Sequence, residues 1–336
     1  MAGITLQEVS RRAGVSTATV SRVLNNSPLV HPDTRRRVLR LIKQLNYHPS
    51  PTARALARAR TQTLAVLFPG IASGFYSEVL CGMDDVASER GYHLMIAFSH
   101  GPQDQEELFI RCLRERRADA LVVLNLNPPD ALVRAATAHE TPVVFIDRPA
   151  RGRRISCVQI DNETGSVEAV RHLAAHGYRR IAVLSGPTDS FDAQQRLAAY
   201  RQAMREHGLP VTSELVWQGA FTEESGYAAV QRWLKRNRSL PDALFACNDA
   251  MAFGARQALQ ERGLNLPMVG FDDCETARHL GLTTVHVPMR QMGRWAVELA
   301  LAWIEGAPNE GVPDRVVPTR LVVRESCGCA RKGVKV

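Results

Sequence analysis

The sequence predicts an all-α helix-turn-helix headpiece joined to an α/β core of two lobes, each a parallel sheet flanked by helices. Three observations predict it. The first is a charge split. Residues 1–60 hold eleven Lys and Arg against Glu8 and Asp33, a net of +9, whereas residues 61–336 carry 31 basic against 32 acidic side chains. The second is a pair of short, capped helical segments at the start of the chain. The third is an alternation, from Thr63 onward, of short apolar runs with amphipathic stretches.

Composition sets the outer bounds. A chain of 336 residues, 45% hydrophobic and 23% charged, has ample material for real cores and suggests two or three domains. Its opening, Met-Ala-Gly-Ile-Thr, lacks a charged stretch followed by an apolar one, so no secretory leader is expected. No apolar run approaches the roughly 18 residues that span a bilayer. Seven scattered cysteines fit a reduced cytoplasm, most of them as small buried hydrophobes. Cys327 and Cys329 form the only close pair. With no second Cys or His pair at zinc spacing beside them, no metal site is expected there. A cytoplasmic chain without membrane contact is the expectation.

Thr5-x-x-Glu8 reads as a capping box that opens the first helix. Leu6, Val9 and Ala13 give it one apolar stripe, and Gly14 ends it in a tight turn. Ser16 caps a second helix, Thr17 to about Asn25, with Val20, Val23 and Leu24 facing inward. A third helix begins near Pro32, a favoured first-turn residue, and runs to about Leu45. Its inner face is Val38, Leu41, Ile42 and Leu45; its outer face is Arg35, Arg36, Arg40 and Lys43. The second helix presents Thr17, Ala18, Ser21, Arg22 and Asn25 outward. Short polar and methyl-bearing groups with one guanidinium suit base edges and phosphates in a major groove. A plain three-helix bundle with a solvated basic face is the alternative. Pro49 to Arg60 starts with two prolines and continues as a short helix former, marginal by itself in water. Such a segment is either a simple linker or a hinge helix ordered on DNA, and Leu56 on an otherwise small, basic strip favours the hinge. The expected domains are therefore a helix-turn-helix domain over 1–48, a hinge helix over 49–61 and a core over 62–336.

In the core, strands are expected at Leu64–Phe68, His93–Phe98, Ala120–Leu124, Val143–Ile146, Cys157–Ile160, Ile181–Ser185, Ala243–Ala246 and Pro267–Phe271. Helices between most of them argue for parallel sheets with helices on both faces. The region is too long for one sheet unit, so two lobes are expected. Lobe 1 takes about 62–161 and 291–320, and lobe 2 about 162–290 and 321–328. Ligands of such folds sit beyond the carboxyl ends of strands. Phe75-Tyr76, Asp147, Asp161-Asn162, Arg196, Phe221, Asn248-Asp249 and Asp272-Asp273 follow those ends or the helices after them. Carboxylates, an Arg and an Asn bracket hydroxyls through charge-assisted hydrogen bonds, and an aromatic ring stacks on a sugar face. Each acid taken singly is equally well read as the cap of the next helix.

The run Thr5-Leu6-x-Glu8-Val9-Ser10-x-x-Ala13-Gly14-Val15-Ser16-x-x-Thr19-Val20-Ser21-Arg22-Val23-Leu24-Asn25 resembles the headpiece of the LacI/GalR transcriptional repressors. So do Thr34-Arg35-x-x-Val38 and Leu45-Asn46-Tyr47-x-Pro49-x-x-x-Ala53-Arg54-x-Leu56-Ala57. The resemblance continues to about residue 328, over a core similar to the periplasmic-binding-protein-like core of that family. It implies that Thr17, Ala18 and Arg22 read bases and that Ser16, Thr19, Ser21 and Asn25 hold phosphates or nearby edges. Leu56 would wedge into the minor groove and kink the site. Thr5, Leu6, Tyr47, Ala53, Arg54 and Ala57 complete the implied DNA-facing set. It also implies that Arg196, Asn248 and Asp272 are effector-binding polar residues and Phe221 the stacking ring, with Ser190 and Asp192 among the candidates.

Departures from the family pattern carry their own expectations. Ser190 stands where purine-responsive members carry Arg, which argues against a purine effector. His31 replaces a common Ser cap. Ala220 stands where Asp is common, and the stretches before Asp272 and from Cys274 to Leu282 are shorter than usual. The tail has no leucine heptads, so the tetramer-forming extension of some relatives is not expected.

The function so implied is a DNA-binding transcriptional regulator, a repressor, acting as a homodimer on a palindromic operator. A small-molecule effector, a sugar, sugar acid or polyol, would switch it. No catalytic residue and no cofactor are expected. The chain has no Gly-x-Gly-x-x-Gly, Walker loop or Gly-x-Ser-x-Gly to support an enzyme, and the fused basic module argues against a transport binding protein.

Overall fold

A computed structural model of the chain describes residues 4–24, 27–47, 60–68, 74–98, 102–124, 130–150, 152–236, 240–307 and 312–329. It divides into two units, Met1–Gln62 and Thr63–Val336. Among the described residues, no helix is long and apolar enough to cross a membrane.

The first unit packs α1 (Leu6–Ala13), α2 (Thr17–Leu24) and α3 (Pro32–Gln44) around Val9, Val20, Val23 and Val38. The Thr5 hydroxyl accepts from the Glu8 amide at 3.3 Å, a cap worth about 1 kcal/mol. Glu8 turns its carboxylate instead to Arg11 and Arg12, whose hydrogen bonds lower its pKa. Gly14 ends α1 with φ 63°, a conformation that favours glycine. Ser10 Oγ then donates to the Val15 carbonyl at 2.6 Å and fixes the turn. The substituted cap works by other means: His31 Nδ1 accepts from the Asp33 amide at 3.3 Å. On α3, Val38 is buried and Leu41 and Ile42 pack on the core, as the sequence pattern requires. Arg35 departs from the outward set, because its guanidinium folds back to the Ser27 carbonyl.

The second unit holds two six-stranded sheets. The first contains β1 (Thr63–Phe68), β2 (His93–Phe98), β3 (Ala120–Leu124), β4 (Val143–Ile146) and β5 (Ile155–Ile160). Its helices are α4 (Gly74–Glu89), α5 (Pro102–Glu115) and α6 (Asp130–His139). After α7 (Asn162–Ala175) come β6 (Ile181–Ser185), α8 (Phe191–Glu206), β7 (Val216–Gln218), α9 (Glu223–Arg236), β8 (Ala243–Ala246) and α10 (Asp249–Gln260). The chain closes with β9 (Met268–Asp272), α11 (Glu275–His279), β10 (Thr283–His286), α12 (Met289–Ile304), β11 (Arg315–Val317) and β12 (Arg320–Val322). The orders are β11-β5-β4-β3-β1-β2 and β12-β10-β9-β8-β6-β7. Every pairing is parallel except β10 with β12.

All eight expected strands form, with ends moved by a residue or two. β7, β10 and β11 were not expected. They are only three or four residues long, and β10 reads Thr-Thr-Val-His, polar in sequence although Thr283 and Thr284 are fully buried. The shortened stretch before Asp272 leaves β9 intact, paired with both β8 and β10.

The antiparallel edge explains how the lobes face each other. Val317 pairs with Ile160, the last residue of β5, so the chain leaves lobe 1 at the carboxyl edge of its sheet. Only Pro318 and Thr319 follow before Arg320 pairs with His286, the last residue of β10. A strand that enters lobe 2 at its carboxyl edge has to run against the others. The carboxyl edges of the two sheets therefore confront one another. Thr319 Oγ1 donates to the Asp161 carbonyl at 2.8 Å and the Asp161 amide to the Val317 carbonyl at 3.0 Å, tying two of the crossing segments together.

Candidate effector cleft and nucleic-acid interface

Between those edges lies a buried ionic cluster centred on Arg196, which is 4% exposed. α8 carries it inward beside Asp192, one helical turn earlier. Arg196 Nε donates to Asn162 Oδ1 at 2.7 Å, and Nη1 to the Cys247 carbonyl at 2.5 Å. Its guanidinium lies 3.8 Å from the Phe271 ring centroid, 5.9 Å from that of Phe221, and 3.8 Å from Asp272 Oδ1. Asn162 Nδ2 donates in turn to Asp192 Oδ1 at 2.6 Å and to Gln195 Oε1 at 3.3 Å. Lobe 1 contributes Asp147, buried after β4 with φ 71°, whose Oδ1 is buried with no hydrogen-bond partner among the described residues.

Three buried carboxylates thus share one guanidinium. Burial pushes Asp147 and Asp272 well above the usual carboxylate range; Asp192 raises both further and Arg196 opposes. Burial also raises Asp192, against Arg196 and the Asn162 hydrogen bond. Asp249, below the cluster, is pushed up to about 7 by burial, although Thr284 Oγ1 donates to it at 2.6 Å and the Cys274 amide at 3.0 Å. Asp273 goes the other way: burial disfavours its charge, but His286 and Arg324 outweigh that and lower its pKa. Carboxyls raised in this way hold their protons more tightly, and a protonated carboxyl can both donate and accept hydrogen bonds.

Phe221 has φ 61° and owes its place to its neighbours. Asn248 Nδ2 donates to the Phe221 carbonyl at 3.0 Å, and a Cβ on Gly186 would collide with the ring. Asn248 Oδ1 also caps α10 by accepting from the Met251 amide at 3.0 Å. Asp161 caps α7 through the Thr164 amide, and Ser190 caps α8 through the Ala193 amide. Phe75 and Tyr76 pack edge-on to each other, with Tyr76 also against Phe68. They open α4 beside lobe 2, since a Cβ on Gly74 would lie 3.7 Å from that of Cys274. An opening of about 300 Å³ next to the cluster shares Asn162 with it and is lined by Ile160, Asp161, Gln195, Gln202 and Val316. Gln195 and Phe271 were not singled out in the sequence. Gln195 adjoins Arg196, and Phe271 precedes an expected site acid, so their positions alone offered a hint.

In the first unit, Ser16, Thr17, Ala18 and Arg22 lie exposed along one side of α2, with Val20 and Val23 buried on the other. Thr19 and Ser21 are half-buried. Ser16 Oγ accepts from the Thr19 amide at 3.1 Å and lies 2.9 Å from the Thr19 hydroxyl. Tyr47, expected at the nucleic acid, is only 8% exposed and belongs to the three-helix core, on which the half-buried Leu6 also packs. Arg36, Arg37, Arg40 and Lys43 are exposed on α3. Asn25 and the hinge positions Ala53, Arg54, Leu56 and Ala57 lie outside the described residues.

Comparison with known proteins agrees with both halves of this arrangement. The family described as bacterial regulatory proteins, lacI family, matches residues 5–50, and the periplasmic binding protein-like domain matches residues 170–327. The regulator CelR of Thermobifida fusca is 36% identical across 96% of this chain and 98% of its own length. The repressor PurR of Proteus mirabilis is 34% identical across 96% of each chain. Among solved structures, a lac repressor dimer bound to operator and the anti-inducer ONPF superposes with a TM-score of 0.83, at 26% identity over 97% of this chain and 99% of that one. A CelR–cellobiose complex gives a TM-score of 0.72 at 33% identity, over 96% and 99%. The relatives are transcriptional regulators rather than enzymes. With such relatives over nearly its whole length, the chain belongs to the lacI family of bacterial transcriptional regulators.

Proposed function

We propose that the protein is a repressor that binds a palindromic operator as a homodimer and is switched by a neutral polyhydroxylated ligand, a sugar or polyol, in the cleft. The observation that carries the effector reading is the cluster of Asp147, Asp192 and Asp272 around the single Arg196, beside the Phe221 ring. Acids outnumber the cation, and Arg196 is already engaged by Asn162 and Cys247, so an anionic sugar acid is disfavoured. Hydroxyls, which donate and accept, suit the surplus carboxyl oxygens. Ser190 spends its hydroxyl on a helix cap, which supports a sugar over a purine. The cellobiose seen with CelR is consistent with this class. For DNA, the support is the basic headpiece and the exposed Thr17, Ala18 and Arg22 on one side of α2. For the dimer, it is edge strand β2, which exposes Ile96 and Phe98 at 39% and 40%.

The switch requires differential affinity for two states of the core, nothing more. A selected operator measured by fluorescence anisotropy tests the DNA half. Arg22→Ala and Thr17→Ala should each cost about 1–3 kcal/mol of specific binding and leave nonspecific binding nearly unchanged. Equal affinity of the wild type for operator and random duplex would sink the reading. A thermal-shift panel of neutral sugars, sugar acids and purines tests the effector half, because a ligand at about 100 times its Kd adds about 2.7 kcal/mol. A shift by purines or acids alone would overturn the neutral-sugar assignment.

A further inference from the structure

The sequence offers Cys327-Gly-Cys329 with no partner pair nearby, but the fold supplies one some 150 residues earlier. His172 and His176 stand one turn apart at the carboxyl end of α7, and the chain after β12 returns along lobe 2 to the same place. The ligand atoms of His172, His176, Cys327 and Cys329 all lie within 4.8 Å of one another. Cys329 Sγ is 3.1 Å from His176 Nε2 and 3.9 Å from His172 Nε2. Tetrahedral zinc bonds of about 2.3 Å to sulfur and about 2.0–2.1 Å to nitrogen set donors roughly 3.3–3.8 Å apart, so the observed spacings bracket what the metal needs. We propose that these four side chains bind one zinc ion in a closed Cys2His2 site of structural type.

The surroundings read as a built site rather than a chance meeting of polar groups. The tail is held in place independently of any metal. The Met268 amide donates to the Ser326 carbonyl at 2.8 Å, and Ser326 Oγ donates back to the Met268 carbonyl at 2.7 Å. The Thr283 amide donates to Ser326 Oγ at 2.8 Å, and Arg324 Nη2 meets Asp273 Oδ1 at 2.6 Å. Gly328 has φ 91°, and a Cβ there would strike the Tyr178 hydroxyl, so glycine is required between the two thiols. Tyr178 in turn donates to the Cys327 carbonyl at 3.2 Å and stacks its ring on His176 at 5.8 Å. Thr283 Oγ1 lies 3.2 Å from Cys327 Sγ and can donate to a thiolate. None of the seven cysteines is in a disulfide.

On binding, each thiol gives up its proton as the sulfur–zinc bond forms, so two protons are released per ion. Four protein ligands leave no open position, which fits a clamp rather than a catalyst. The clamp joins the C-terminal tail to α7, whose first residue is Asn162 of the effector cleft. Zinc would therefore fix the helix that positions Asn162 against Arg196.

The test uses the full chain purified without a histidine tag, in a non-thiol reductant and without chelator. Elemental analysis should give one zinc per chain. Cys329→Ser and His176→Gln should each lose it while keeping the wild-type circular dichroism spectrum. His176 is exposed, so His176→Gln decides the matter if Cys329→Ser fails to fold. The cobalt-substituted protein should show thiolate charge transfer and tetrahedral d–d bands, and a chelator should lower Tm in the wild type but not in His176→Gln. Failure to take up zinc after equilibration with one equivalent, retention of the ion by both variants, or a cobalt spectrum without thiolate bands would overturn the site.

Discussion

Lobe 1 buries few polar side chains among its described residues, chiefly Asp147 and Ser156, whereas lobe 2 buries Asn162, Asp192, Arg196, Asn248, Asp249 and Asp272. The two are otherwise built alike, with six strands each and fully buried central strands such as β3 and β8. Ser156 is a neutral case, bonded to Trp303 Nε1 at 2.9 Å and to the Val312 carbonyl at 3.2 Å. The ions of lobe 2 are a different matter, because charge taken from water costs several kcal/mol unless paired. A fold that already closes with a mostly apolar core in one lobe has no structural need of such groups in the other. On the proposed function, the difference assigns recognition chiefly to lobe 2, with Asp147 and the aromatic pair of lobe 1 across the cleft.

The strongest way to break this comparison is to remove the hub. Arg196→Met keeps much of the side-chain volume but leaves Asp272, Asp192 and Asn162 without their shared cation. We expect a loss of about 3–5 kcal/mol in denaturant unfolding, typical of breaking a buried pair, together with loss of the effector response. A loss below about 1 kcal/mol would mean that the cluster is already neutral in the folded state and that Arg196 is not its organiser.

A smaller effect separates the lobes by pH, smaller because it removes a charge rather than stranding one. Asp249 is raised from 3.8 to about 7, chiefly by burial. Its folded form holds the proton more tightly than the unfolded one, so the associated stability is present below the unfolded value and is lost as pH rises through about 7. Asp85 in lobe 1 has the opposite sign: the Arg290 hydrogen bonds lower its pKa, and its contribution is lost as pH falls. Unfolding free energies measured from acid to neutral pH should therefore decline less steeply in Asp249→Asn than in the wild type. Asp85→Asn should flatten the acid limb instead. Identical slopes in Asp249→Asn and the wild type would show that Asp249 does not titrate in this range.

Much of this was legible in the sequence, and what was not had definite causes. The long apolar strands and capped helices could be read because periodicity and capping are local. Asp272 and Arg196 could be expected in the site, since they follow a strand end or lie on the next helix, yet their pairing at 3.8 Å is a product of the closed lobe. β10 escaped notice because the hydroxyls that make Thr283 and Thr284 look exposed are satisfied internally, one of them by Asp249. Asp161 and Asn248 show the limit of strand-end reasoning, for each caps the helix it precedes. Tyr47 shows another, because a position matched to a family motif does not reveal which way its ring turns. The His172–Cys329 grouping was beyond reach, since metal spacing rules count along the chain and the fold joins distant segments.

The smallest expected effect concerns where the lobes are alike. Each rests on one close helix crossing, α4 with α12 in lobe 1 and α9 with α10 in lobe 2, and both crossings are made on glycine. A Cβ on Gly82 would sit on the Arg290 carbonyl and one on Gly293 on that of Val79; in lobe 2, Gly226 meets the Met251 carbonyl and Gly254 that of Glu223. In all four cases the obstacle is backbone, which cannot swing aside as a flexible side chain would. An added methyl has to push the helices apart, and overpacking of this kind costs about 1–3 kcal/mol. Gly293→Ala and Gly254→Ala should therefore lower stability by similar amounts. They should differ in function, because only Gly254 lies on the helix that Asn248 caps and through which Asn248 holds Phe221. If Gly254→Ala left effector affinity as unchanged as Gly293→Ala, the division between a reading lobe and a covering lobe would not extend to the helix layer. It would be confined to the carboxyl edge of the sheet, where Arg196 meets Asp272.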